Sequence, residues 1–343
     1  MKIGIAFNLR KKPAPNEPQD KYAEYDEMTT IDAIKKALES RAHTVVLLEA
    51  DENFIEKVKE ERPDFVFNIA EGISGPGRES YVPVVLDMLG IPYTGSNPLT
   101  LAITLDKGRT NEILRHHNIP VPDWWISYDA GSIPSVKFPV IVKPNVEGSS
   151  KGIKNNSIAH NVRQLKELVR YVVETYNQPA IIQRYLTGRE FTVSIIGNNP
   201  PRVLPIVEIT YEHLPKGMNR IDSYEVKWIW DNPNSPIDPI ICPAKIDKKL
   251  EDAIKDVALR TYRALGCFDF CRIDIRLDEN GIPNVLDVNA LPGLIPDPRE
   301  NSRFPKAAYA AGYTYEELIN EILRHAMERA GKKQVVHSVC CLR

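Results

Sequence analysis

The chain has 343 residues, with 44 Lys and Arg against 46 Asp and Glu and a formal charge of −2 at pH 7. That length suggests two or three domains, and 43% hydrophobic with 26% charged residues excludes a disordered or fibrous chain. A sum so near zero excludes charge-driven attraction to nucleic acid or anionic lipid as the first expectation. No run approaches the ~18 apolar residues of a membrane span, and the stretch at 3–7 is too short for a signal peptide. A cytoplasmic protein with neither nucleic-acid nor membrane partners is therefore expected. Of the five cysteines, Cys242, Cys267, Cys271, Cys340 and Cys341, none forms a CxxC pair. Cys267 and Cys271 could share a helix face, but no matching ligand pair follows, so reduced thiols are expected rather than zinc or a disulfide.

In chain order, residues 3–7 read as a buried strand. A helix follows, with Met28, Ile31, Ile34, Ala37 and Leu38 at helical spacing, then a strand at 45–48. Another helix (Phe54, Ile55, Val58) and a strand at 65–69 continue the alternation, which predicts a doubly wound parallel sheet over the first ~95 residues. Its ligand side, at the carboxyl ends of the strands, carries two turn-rich segments, 8–24 and 71–79. A helix over about 100–117 opens a second unit, with strands at 139–143 and 180–183 and a helix containing Leu165, Leu168, Val169 and Val172. From Glu190 the pattern turns β-rich, followed by a helix (Ile254, Val257, Ala258), a hairpin, and a last helix near 315–325. The division read from this is 1–98, 99–183 and 184–330, with a tail at 331–343: α/β first, α+β in the C-terminal half.

The hairpin is the most informative stretch. Asn280-Gly281 between alternating segments predicts a two-residue type I′ turn. That register sets Asp274 opposite Asp287 and Arg272 opposite Asn289, with Ile273, Ile275, Leu286 and Val288 on the other face. Two opposed carboxylates destabilise a sheet unless a cation lies between them. Two carboxylates and an amide are an all-oxygen set suited to Mg²⁺, which binds through one or two carboxylates plus substrate phosphates. The alternative is a solvated face on which Arg272 and Arg276 neutralise both acids. Phosphates need cations and backbone donors. There is no P-loop motif, but Lys143 at a strand end and the loop Gly148-Ser149-Ser150-Lys151-Gly152 offer a charge, two hydroxyls and close backbone approach. Lys107 reads by itself as a solvated helix lysine. The segment 183–190 joins two units, and Glu190 there could accept ribose hydroxyls.

The order of these pieces resembles the ATP-grasp superfamily, specifically D-alanine–D-alanine ligases. The matching pieces are Asp106-Lys107, Lys143-Pro144 before Glu147-Gly148-Ser149-Ser150, Gly188-Arg189-Glu190, and Arg272-Ile273-Asp274 with Asp287-Val288-Asn289; Gly90 to Ser96 also looks like that family. The resemblance implies an ATP-grasp fold with ATP held between the central and C-terminal units. It implies Lys107 and Lys143 on the nucleotide phosphates, with Glu147, Ser149 and Ser150 in the loop covering them. Gln183, Arg184 and Leu186 would line the adenine pocket and Glu190 would meet the ribose. Asp274, Asp287 and Asn289 would bind two Mg²⁺ (or Mn²⁺), Asp287 replacing a more usual glutamate. Arg272 would stabilise the acyl phosphate and the tetrahedral intermediate, with Ser149 and Glu24 beside it. Glu24, Glu71, Lys227, Gly293 and Ser302 would contact substrate.

The departures fall on the substrate side. Glu71-Gly72 stands in place of a His-Gly, and Trp228 follows Lys227 where tyrosine is common. Arg303 replaces an apolar residue and could accept a larger or more acidic second substrate. The residue gripping the first substrate's ammonium could be Glu24, Asp26 or Glu27. The expected activity is ATP-dependent ligation of two amino acids through an acyl phosphate, by a homodimer. A small-molecule kinase and a non-catalytic nucleotide-binding relative are the alternatives.

Overall fold

The computed structural model describes residues 1–212, 214–227 and 238–331. Trp228, Cys340 and Cys341, and the expected tail after Gly331, lie outside the described residues. No helix among them is long and apolar enough to cross a membrane.

The alternating start folds as expected. β1 (Lys2–Phe7), α1 (Met28–Glu39), β2 (Thr44–Glu49), α2 (Phe54–Glu61) and β3 (Phe65–Asn68) build a three-stranded parallel sheet in the order β2-β1-β3. Ile31, Ile34, Ala37 and Leu38 are the buried stripe of α1. The segments after β1 and β3 meet at the carboxyl edge of the sheet. There Asn8 accepts the Gly72 N–H, and the Tyr25 hydroxyl donates to the Gly72 carbonyl. α3 (Tyr81–Leu89) follows the second segment.

The single helix expected over 100–117 is two helices, α4 (Pro98–Leu105) and α5 (Lys107–His116). Asp106 breaks them. Its backbone is extended, and its side chain accepts the Arg109 N–H as the N-cap of α5. Lys107 is thereby the first residue of a helix and is buried, not solvated. β4 (Trp124–Ser127), β5 (Val140–Pro144), β6 (Ile158–Ala159), α6 (Val162–Tyr176) and β7 (Ala180–Arg184) form a four-stranded antiparallel sheet, with Leu165, Val169 and Val172 of α6 packed on it.

β8 (Glu190–Ile196), β9 (Arg202–Val203), β10 (Val207–Ile209), β11 (Ile240–Ile241), α7 (Lys248–Ala264), β12 (Phe270–Leu277) and β13 (Pro283–Asn289) give a six-stranded antiparallel sheet. Ile254, Val257 and Ala258 of α7 fill its core with Phe191, Val193, Ile273 and Ile275. α8 (Arg303–Ala310) and α9 (Tyr315–Arg329) close the chain, and α9 packs back on α1. Cys271 lies on β12 rather than a helix and is, like Cys267, a buried free thiol.

The hairpin departs from its expected turn in two places. Asn280 does not take the positive φ that a type I′ turn needs; Gly281 alone does (φ +76°). Asp278 instead closes a five-residue loop, its Oδ1 accepting the Asn280 and Ile282 N–H groups at 2.9 Å each, and Leu277 pairs with Pro283. Further along, Leu286 is an extra residue between the pairs Ile275–Val285 and Asp274–Asp287. This β-bulge turns Leu286 out of the core, while Val285 and Val288 both remain in it.

Candidate active site

β12 carries Cys271, Ile273 and Ile275 into the core, so Arg272, Asp274 and Arg276 face the opposite way; Ser194, Thr192 and Glu190 of β8 stand beside them in register. Across the hairpin Asp274 faces Asp287 and Arg272 faces Asn289. The Asp274 Oδ2 receives Arg272 Nη2 at 3.3 Å and Asn289 Nδ2 at 3.4 Å, and its Oδ1 accepts the Thr192 hydroxyl at 2.5 Å. Burial alone would raise the Asp274 carboxyl, but Arg272 and the Thr192 hydrogen bond hold it below its ordinary value.

Two lysines come to this row from other elements. Asn145, just past β5, accepts the Lys107 and Gly108 N–H groups through its carbonyl (3.1 Å) and side-chain oxygen (2.9 Å), and donates to Asp106 at 2.8 Å. That clamp fixes the start of α5 to the end of β5, and Lys107 Nζ lies 3.3 Å from Asp287 Oδ1. Lys143 of β5 and Lys227 line the same cleft, and burial pushes each ammonium down to about 8. Arg303 and Arg272 add to the depression at Lys227. These lysines are cationic below about pH 8 and lose the proton above it. A polyphosphate favours the charged form. Binding of a nucleoside triphosphate should therefore weaken as pH rises through 8, by up to about tenfold per unit for each lysine, with proton uptake on binding. Calorimetric titration at pH 7, 8 and 9 checks this; an affinity constant over that range would remove both lysines from the phosphate site.

Two adjoining cavities share Lys107, Glu147, Gly148, Ser149, Arg272 and Asp287. The larger one adds Ser150, Glu190 and an apolar lining of Ile141, Ile153, Ile221 and Leu286. Leu286 reaches it because of the bulge. Glu190 is raised by burial, partly offset by Arg276 Nη1 at 2.9 Å, and it accepts the Tyr211 hydroxyl at 2.8 Å. Gln183, Arg184 and Leu186 do not line either cavity. Leu186 is buried, Arg184 is turned to Glu279 at 3.0 Å, and the Gln183 side chain is buried with neither end of its amide partnered. Gly293 lines the smaller cavity, and the Ser302 hydroxyl donates to its carbonyl at 3.1 Å.

The loop after Lys143 is held from two sides. Ser149 and Ser150 both have positive φ, and the Ser150 hydroxyl donates to the Asp222 carbonyl at 2.7 Å. On the other side Glu24 accepts the Gly148 N–H at 2.6 Å and pairs with Arg78 (2.8 Å) and Lys151 (3.3 Å). Glu147 binds the same two cations, at 3.2 and 2.5 Å. A Cβ on Gly148 would come within 2.6 Å of the Glu24 carboxylate oxygen, so a larger residue there would require Glu24 to shift. Burial would raise Glu24, yet Arg78 and Lys151 keep it at about 2.

Of the three N-terminal acids, Glu24 lines the cleft, whereas Asp26 does not and Glu27 is exposed on Arg10. Arg303 is buried on Asp222 at 2.9 Å and lines neither cavity, so it is not a free cation for a second substrate. Tyr211, Arg78 and Glu79 were given no role from the sequence, and Arg276 was named only as a neutraliser of the two opposed acids. Their partners are distant in the chain, and of them only Arg78 and Glu79 fall in a segment read from the sequence, the turn-rich 71–79.

The metal reading fits the donors. Among the described residues no group of three or more His, Cys, Asp and Glu could hold a metal ion. Asp274 and Asp287 have side chains 19 and 24% exposed, toward the cleft, and with the Asn289 carbonyl oxygen they offer a hard, all-oxygen set suited to Mg²⁺.

The family model described as D-ala D-ala ligase C-terminus matches residues 123–324. The D-alanine–D-alanine ligase of Desulforudis audaxviator is 32% identical over 87% of this chain and 92% of its own. The chain belongs to the D-alanine–D-alanine ligase family. An uncharacterised protein of Sinorhizobium fredii is 35% identical over 94% of each chain. The crystal structure of D-alanine–D-alanine ligase from Bacillus anthracis complexed with ATP superposes with a TM-score of 0.71 at 25% identity, covering 96% of this chain and 99% of that one. The parallel N-terminal sheet and the two antiparallel sheets behind it are thus the ATP-grasp fold of that family.

Proposed function

We propose that this protein is an ATP-dependent carboxylate–amine ligase that joins two amino acids, D-alanine or close relatives, through an acyl phosphate. The observation that carries the reading is the convergence of Lys107, Lys143 and Lys227 on the row Arg272, Asp274, Asp287 and Asn289 in one cleft. A carboxylate oxygen of the first amino acid attacks the γ-phosphorus, and the bond to ADP breaks. The amine nitrogen of the second then attacks the acyl carbon, phosphate leaves, and a proton is lost.

Lys107, Lys143 and Lys227 spread the phosphate charge in the first step. Arg272 faces the reacting carboxyl and holds the oxyanion in the second, and its Nε is buried without a partner. Asp274, Asp287 and Asn289 would hold Mg²⁺, as two ions, with Mn²⁺ an acceptable substitute; the bound metal neutralises charge on the phosphates. Gly148, Ser149 and Ser150 cover the site and exclude water, which would hydrolyse the acyl phosphate. Glu190 is proposed at the ribose, and Ile141 and Leu286 beside the base. Gln183, Arg184 and Leu186 would reach the adenine only after the loop adjusts. Glu71, Gly293 and Ser302 remain candidates at the substrates, and Glu24 is proposed to anchor the loop.

The domain division at 98 and 183 and the homodimer are proposed with the same reading; light scattering tests the latter. Mass spectrometry of products from ATP, Mg²⁺ and a mixture of D- and L-amino acids tests the function. A dipeptide with ADP is expected. ATP consumed without any new amide contradicts ligation.

A further inference from the structure

Glu190 is 5% exposed, and its carboxylate is held by one oxygen only. Arg276 stands directly opposite it across β8 and β12, and its Nη1 donates to Oε2 at 2.9 Å. The Tyr211 hydroxyl donates to the same oxygen at 2.8 Å. Among the described residues Oε1 accepts no hydrogen bond, and it is not sealed from the cleft that Glu190 lines. Arg276 is itself fixed. It is buried, its Nε donates to the Gly188 carbonyl at 3.1 Å, and its guanidinium lies 5.3 and 5.6 Å from the ring centroids of Tyr185 and Tyr211. The carboxylate therefore has one oxygen committed to the protein and one left to a ligand.

We propose that Arg276 and Tyr211 are positioning residues for the nucleotide sugar: by holding Oε2 of Glu190 they present Oε1 to the ribose hydroxyls, so that the site selects ribonucleotides over deoxyribonucleotides. This rests on the ligase reading above, which puts Glu190 at the ribose. Charge and direction both enter. Burial favours the protonated carboxyl, and Arg276 is the charge that opposes it most. Kept ionised, Oε1 accepts a hydroxyl in a charge-assisted hydrogen bond, stronger than a neutral one. The guanidinium fork adds direction, because Nε on Gly188 and Nη1 on Glu190 tie the carboxylate to the junction between β7 and β8. A sugar lacking the hydroxyl leaves Oε1 buried and unpaired, a cost that an apolar sugar pocket would not impose. Neither Arg276 nor Tyr211 has to touch the nucleotide.

The test is calorimetric titration of ADP, 2′-deoxy-ADP and 3′-deoxy-ADP into the protein with Mg²⁺. At least one deoxy form should bind the wild type about tenfold or more weakly than ADP does. In Arg276→Leu that form and ADP should bind within about threefold of each other, chiefly because ADP loses affinity. Tyr211→Phe, which removes only a hydroxyl, should lower the ratio in the same direction. An arginine that merely holds two strands together would weaken all three nucleotides alike. An unchanged ratio in Arg276→Leu or in Tyr211→Phe therefore overturns the proposal, and if Arg276→Leu melts below the assay temperature Tyr211→Phe decides. A ratio lost in Glu190→Gln but kept in both other variants leaves Glu190 at the ribose and removes Arg276 and Tyr211 from this role. A wild type that binds all three nucleotides alike overturns the proposal together with that placement of Glu190. Hydroxamate formation from ATP, hydroxylamine and amino acids tests the ligase reading separately. Hydroxamate with the ratio unchanged in the variants contradicts this inference alone; a lost ratio with no hydroxamate contradicts ligation alone.

Discussion

Asp287→Ala should lower turnover by at least about 10³-fold and leave the fold intact. Two carboxylates face each other on β12 and β13, and Asp287 also lies 3.3 Å from Lys107. Like charges directly opposed destabilise a sheet, so deleting one relieves repulsion while Lys107 loses a partner. These changes oppose each other and should leave stability within about 1 kcal/mol of wild type. Turnover has no such compensation, because Asn289 and Asp274 alone cannot supply the charge that Mg²⁺ and a triphosphate require together. Steady-state ADP release and thermal melting, measured on the same preparation, check both halves. Full activity in the variant would remove Asp287 from the site.

Arg78→Ala should be the most destabilising single change in the cleft, by about 3–5 kcal/mol. The Arg78 side chain is 6% exposed and donates to Glu24 at 2.8 and 3.0 Å, to Glu147 at 3.2 Å and to the Val146 carbonyl at 2.8 Å. Without it two buried carboxylates share Lys151 alone. Lysine is no substitute, since a point charge cannot bridge both acids and a carbonyl as the guanidinium fork does. The linkage has a defined sign. Glu24 falls from an ordinary 4.5 to about 2, so it contributes stability above pH 4.5 that is lost as pH drops toward 2. Denaturant titrations at pH 7 and pH 3 should show a smaller difference in the variant than in the wild type. A variant as stable as the wild type at pH 7 would mean that the cluster contributes nothing.

The parallel sheet and the polar row of the hairpin were legible because period-two and 3.6-residue patterns are local. The register at Asp274 and Asp287 was read correctly through two departures that cancel. The loop closed by Asp278 shifts the pairing by one residue, and the bulge at Leu286 shifts it back. Period-two counting cannot detect a bulge, so Leu286 was assigned to the core when it lines the cleft. Lys107 looked solvated because the Asn145 clamp that buries it comes from another strand. β4 and α8 escaped notice: β4 has four residues, and α8 has eight with Pro305 inside. The Glu24 cluster joins residues 54 to 127 positions apart, and no sequence spacing announces such a contact. The family resemblance had marked Glu24 without revealing that Arg78 and Lys151 occupy it.

The central claim, an acyl phosphate formed in this cleft, is tested most directly by isotope transfer. An amino acid carrying ¹⁸O in its carboxylate is turned over with ATP, and the released phosphate is examined by mass spectrometry. One ¹⁸O in each phosphate is the predicted result, because the carboxylate oxygen that attacked phosphorus leaves with it. Phosphate free of the label, with ATP still consumed, would contradict the account.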